Sequence, residues 1–143
     1  MPDVMDITVF DDSGLLALVD HRAYQSFVGA DWTYEELLSH FSNEMSKYRM
    51  LVWECGDGGG PYLVRVRRTI TSDIGFREVI GGISASTETL LVSSYDALTM
   101  AAQFDDEPLP SKHEQHQMLD VVPASYRVRP MYAGQRTAAE PGR

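Results

Sequence analysis

Short apolar runs bounded by Gly, Pro, Asp or Ser recur along almost the whole chain, and this spacing restricts the fold more than any other feature. MDITVF (5–10), LLALVD (15–20), RAYQSFV (22–28), RMLVWEC (49–55), PYLVRVRRTI (61–70), FREVIGGISAS (76–86), TLLVSSY (89–95), HQMLDVV (116–122) and SYRVRPMY (125–132) all read as extended pieces. PYLVRVRRTI alternates cleanly, with Tyr62, Val64 and Val66 on one face and Arg65 and Arg67 on the other. The turn-like DDSG (11–14) joins the first two runs as a hairpin by pattern.

One segment changes period. In GADWTYEELLSHFSNEMSKY (29–48) Leu37, Leu38, Phe41 and Met45 fall at helical spacing. Asp31 or Thr33 serves as N-cap, and Glu35 and Glu36 sit in the first turn, where the helix dipole favours acids. Residues 96–115 are the least regular, with a single helical turn expected at YDALTMAAQF and then the acidic, proline-bearing loop DDEPLP. The expected fold is mainly β: an antiparallel β-sandwich or barrel-like sheet with one α-helix over about residues 33–47. A single β-rich domain spans 1–132, and the small polar tail 133–143 is expected to fray.

At 143 residues one core is within reach, and the apolar share of 43% is that of a globular chain. The net charge of −9 comes from 21 Asp and Glu against 12 Lys and Arg, which disfavours nucleic acid and favours a basic protein partner. A single cysteine cannot form an internal disulfide, the opening MPDVMDITVF lacks a basic start, and no run approaches the ~20 apolar residues of a membrane span. A cytoplasmic protein that engages no membrane is expected.

The stretch VWECGDGGGPYLVRVRR (52–68) poses the sharpest chemical question. A phosphate cradle needs glycines followed by a helix and usually a Lys, but here a strand pattern follows and no Lys does. The glycines therefore read as a turn that sets Trp53 and Tyr62 in adjoining antiparallel strands. Glu54 and Asp57 flank Cys55 and oppose a reactive thiolate, so Cys55 reads as structural. His113 and His116 stand three apart in HEQH, but on an extended segment they point to opposite faces, which reads as a polar loop rather than a metal site. His21 belongs to a strand end. No catalytic residue, metal or cofactor is expected.

Two charged groups remain as candidates. Glu35, Glu36, Asp105, Asp106 and Glu107 form acidic clusters suited to a basic partner. Arg65, Arg67 and Arg68, with Arg127 and Arg129, form a stripe if their strands lie side by side. Such a stripe either binds an anion or simply keeps a sheet face soluble. Leu98, Met100 and Phe104 either plug an end of the sandwich or offer an apolar patch to another subunit, which would permit a homodimer.

LVDHRAYQSFV followed by DWTYEELLSHF, the strand RMLVW, then ETLLVSSYDALTM and VVPASYRVRPMY, resembles the competence-associated family of inhibitors of the DNA-entry nuclease (competence protein J). The resemblance spans about residues 15–132 and rests on Gln25, Phe27, Asp31, Trp32, Thr33 and Tyr126; the final turn has PAS where the family tends to have glycine. It implies a small β-sandwich without an active site that sequesters a nuclease or toxin, its acidic residues standing in for phosphates.

Overall fold

The computed structural model describes residues 4–10, 14–54, 61–67, 77–78, 81–128 and 131–132. The runs LLALV and TLLVSS are apolar or small at nearly every position because both faces of their sheet are covered. That sheet contains β2 (Leu15–Val19), β3 (Met50–Glu54), β7 (Thr89–Ser94) and β8 (Met118–Asp120), antiparallel in the order β3-β2-β7-β8. Alternate residues divide between two cores. Leu16, Leu18, Leu90, Val92 and Leu119 face one side, and Ala17, Val19, Met50 and Leu91 face the other.

The first core is closed by two smaller antiparallel pairs. β1 (Val4–Val9) pairs with β4 (Tyr62–Arg67), and β6 (Gly81–Ser84) pairs with β9 (Ser125–Val128); they contribute Ile7, Val9, Tyr62 and Ile83. A short further pair joins β5 (Arg77–Glu78) to β10 (Met131–Tyr132). The second core is closed by two helices, α1 (Tyr34–Ser46) and α2 (Tyr95–Gln103), through Leu37, Phe41, Leu98 and Ala102. The layers run β, β, α, as in a sandwich with helices over one outer face, and the sheets do not close into a barrel. No helix among the described residues is long and apolar enough to cross a membrane.

The mainly-β architecture and α1 agree with the sequence reading. Thr33 is the N-cap, its hydroxyl accepting from the Glu36 amide at 3.1 Å while the Glu36 carboxylate accepts from the Thr33 amide at 2.8 Å. This reciprocal capping box fixes where the helix starts. Its buried stripe is Leu37, Phe41 and Glu44, with Leu38 turned to solvent.

Four local expectations are corrected. β1 and β2 form no hairpin: β1 pairs with β4 in one sheet, while β2 pairs with β3 and β7 in another. The glycine run likewise does not make neighbours of Trp53 and Tyr62, since Trp53 lies opposite Leu16 and Tyr62 opposite Val9. The strands on either side of each connection belong to different sheets and share the first core through Val9, Leu16, Trp53 and Tyr62; residues 11–13 and 55–60 lie outside the described residues. Segment 22–28 is not a strand; it leaves β2 through a turn in which Ala23 and Tyr24 donate to the Asp20 carbonyl. And α2 is a true helix of 9 residues, capped by the Ser94 hydroxyl, which accepts from the Ala97 amide.

Gly81 is required by packing. A Cβ there would lie 2.5 Å from Leu51 Cδ1, and Leu51 is itself buried. Gly81→Ala is expected to cost about 1–2 kcal/mol through overpacking, measurable as a lower denaturant midpoint with an unchanged slope.

Candidate functional site

Two backbone bonds join the segment before α1 to the end of α2. The amides of Val28 and Gly29 both donate to the Ala102 carbonyl, at 2.8 and 3.0 Å, and so pin the segment leading into α1 against the last turn of α2. Asp31 lies two residues beyond Gly29 and Asp105 three beyond Ala102. At a chain reach of about 3.5 Å per residue, both fall within about 11 Å of this joint. Glu35 and Glu36 follow in the first turn of α1, and Asp106 and Glu107 continue from Asp105; all five predicted acids are exposed.

Segments 23–46 and 93–111 carry no Lys or Arg, and of their eight acidic residues all but the buried Glu44 are exposed. The same segments expose apolar side chains: Phe27, Tyr34, Leu38, Met100 and Phe104 are five of the nine exposed large hydrophobics among the described residues. Tyr34 and Leu38 share a helix face by their spacing of four. Of the residues weighed as plug or patch, Leu98 is buried in the second core, whereas Met100 and Phe104 remain exposed. The absence of Lys and Arg from both segments is legible in the sequence; the bonds from Val28 and Gly29 to Ala102 are not, because they join residues far apart in the chain.

The arginine candidates are dispersed. Arg65 and Arg67 lie on β4, whose partner is β1, and Arg127 lies on β9, whose partner is β6. Arg65 is engaged by its cross-strand neighbour Asp6 in a two-pronged ion pair, with Nε and Nη2 donating at 2.8 and 3.0 Å. The pair is solvent-exposed and serves register more than stability. Arg68, Arg129 and Cys55, with the glycines 56 and 58–60, lie outside the described residues. The described element that follows the glycine run is strand β4, not a helix.

His113 and His116 bracket a buried acid. Glu114 accepts from the Ser93 hydroxyl at 2.5 Å and from the Ser111 amide at 3.0 Å, and so braces the loop before a one-turn 3-10 helix at Gln115–Gln117. His116 Nε2 lies 3.2 Å from the Thr8 carbonyl. His21 Nε2 contacts the Thr89 hydroxyl at 2.9 Å, and burial holds its pKa below the ordinary value, against the pull of Asp20 and with a smaller push from Arg22. Among the described residues no three of His, Cys, Asp and Glu converge as metal ligands would.

A second buried acid sits under α1. Glu44 accepts from the Gln25 amide at 3.2 Å and from Arg49 Nη1 at 3.3 Å, and its side chain is only 2% exposed. Beside it the Tyr24 ring meets His40 at 5.5 Å between centroids, and the Tyr24 hydroxyl is buried without a hydrogen-bond partner. Burial, and secondarily the Glu44 carboxylate, push the Tyr24 phenol well above its usual 10.0. A pKa raised on folding gives a contribution that is complete below about pH 10 and is lost as the pH climbs towards the folded-state value. Tyr24→Phe is expected to stabilise the fold by about 1 kcal/mol, by removing an unpaired buried polar group. It is also expected to flatten the fall in stability above pH 10, which denaturant titrations at pH 8 and 10.5 would register.

The C-terminus of α1 carries a backbone exception. Tyr48 has φ 60°, the left-handed conformation usually given to glycine at this position. The Tyr48 amide donates to Met45 and the Arg49 amide to Glu44, which closes the helix in a Schellman motif. Tyr48 is 57% exposed and lines an open depression of about 410 Å³ over β6 and β9.

No protein-family model and no curated protein matches the sequence. Among solved structures, one titled "Crocagin biosynthetic gene J" is similar to this chain, with a TM-score of 0.64 and 13% identity over 97% of this chain and 83% of the other. At that identity the likeness shows a shared fold.

Proposed function

We propose that this protein is a non-catalytic binding module that holds a basic protein partner against the surface joining the N-terminus of α1 to the C-terminus of α2. The observation that carries this reading is the pair of bonds from Val28 and Gly29 to Ala102, which ties the segment leading to exposed Glu35 and Glu36 to the helix end that precedes exposed Asp105, Asp106 and Glu107, with Phe27, Met100 and Phe104 exposed on the same two segments. Aromatic anchors inside a charged rim are the composition of a protein interface, and uncompensated acids add attraction and orientation for a cationic partner. The resemblance to inhibitors of the DNA-entry nuclease suggests the partner class, since a nuclease presents a cleft that is basic in order to hold phosphates. A toxin with a similar cleft fits the same chemistry.

The test is co-purification from the native cell over a range of ionic strength, followed by binding measurements with the purified partner. A basic protein should be retained at low salt and progressively released as screening increases. If that partner is a nuclease, its activity should fall to completion at one equivalent of this protein. Failure to retain any basic protein at any ionic strength would remove the reading.

A further inference from the structure

The depression beside Tyr48 lies away from the acidic surface and has its own chemistry. Residues 82 and 84 of β6 and their cross-strand partners Arg127 and Ser125 of β9 share the face turned away from the core, as the burial of the intervening Ile83 shows. Gly82 leaves that face without a side chain, and a Cβ there would come 3.4 Å from Tyr48 Cδ1, so the tyrosine ring stands directly beside the bare backbone. The Ser84 and Ser125 hydroxyls bond to one another at 3.0 Å next to this floor. Arg127, the one charged residue lining the depression, is exposed and has no ion-pair partner among the described residues.

We infer that Tyr48, Gly82, the Ser84–Ser125 pair and Arg127 form a binding site for a small aromatic anion, whose ring lies against Tyr48 over Gly82 and whose carboxylate or phosphate meets Arg127. An arginine fork suits a planar carboxylate or a phosphate oxygen pair, and the bonded serine pair has one hydroxyl proton left to donate. The flat wall and the side-chain-free floor suit a ring, which a methyl group at position 82 would lift away. The conformation of Tyr48 fits this use. A non-glycine residue in the left-handed region costs stability, and a residue that stays 57% exposed recovers little of that cost by burial, so glycine would serve the helix end better.

The test is an amide NMR titration of the full-length 15N-labelled protein with 1-naphthoate and with adenosine 5′-monophosphate. Controls are the neutral 1-naphthamide and adenosine, and ringless acetate and inorganic phosphate. At least one aromatic anion should shift the Gly82, Ser84 and Ser125 amides, and which of the two does so tells a carboxylate from a phosphate ligand. Arg127→Gln should weaken that binding about tenfold. Tyr48→Gly should abolish it while raising the melting temperature, which separates loss of the site from loss of the fold. Neither anion shifting these amides at millimolar concentration, neutral rings binding as tightly as the anions, or Tyr48→Gly binding like the wild type would each overturn the assignment. Charge reversal at Asp105, Asp106 and Glu107 should leave this binding unchanged.

Discussion

Arg49→Ala is expected to lower the unfolding free energy by about 3 kcal/mol, near the lower end of what breaking a buried ion pair costs. The effect comes from the partner left behind. Glu44 sits on the buried stripe of α1 with almost no solvent contact, and Arg49 Nη1 at 3.3 Å is its cation. Arg49 itself is about a third exposed, so its own removal is mild; the carboxyl it abandons is what cannot be rehydrated. The backbone amide of residue 49 still closes the helix end, so the helix cap survives the substitution. For a chain of this size the loss amounts to about 10 °C in melting temperature. Glu44→Leu in the same background should recover most of it, leaving about 1 kcal/mol for the Gln25 amide that loses its acceptor. Thermal and urea unfolding of both variants would measure this, and a single variant within about 0.5 kcal/mol of wild type would show that the pair does not matter.

The largest functional effect is expected from Asp105→Lys combined with Asp106→Lys and Glu107→Lys. These side chains are exposed, so stability should stay within about 0.5 kcal/mol of wild type. Affinity for the basic partner should fall by about a hundredfold or more at low salt, mostly through slower association, because attraction at the rim is replaced by repulsion. The deficit should shrink as salt is raised, since the Debye length is about 10 Å at 0.1 M. Phe104→Ala should differ in kind, speeding dissociation with little salt dependence. Equal partner affinity for the charge-reversed and wild-type proteins across salt concentrations would exclude the acidic surface.

How far the sequence could be read depended on whether the deciding interactions were local. The start of α1 was legible because Thr33 and Glu36 satisfy each other's amides within one turn. The stripe of α1 was only partly legible, because a reading that buries apolar residues assigns Leu38 inward and Glu44 outward, and the chain does the reverse. Burial of Glu44 depends on Arg49 and Gln25 arriving from outside the helix, and no periodicity records that. Among the candidate residues, the acidic clusters were legible as clusters. Tyr48 was not, because its left-handed backbone looks like nothing in a run of side chains.

By itself the sequence determined the mainly-β class, the faces of strands such as Tyr62–Arg67 and the place where α1 begins. These follow from side-chain alternation and from hydrogen bonds spanning a few residues. Tertiary structure alone decided which strands became neighbours, sending β1 to β4 and β2 to β3 and β7 where the pattern had drawn hairpins. It also decided that the segment entering α1 is bonded to the last turn of α2. Alternation specifies a strand's inward face but not its partner, and partner choice is settled by burying both cores at once, a property of the assembled layers.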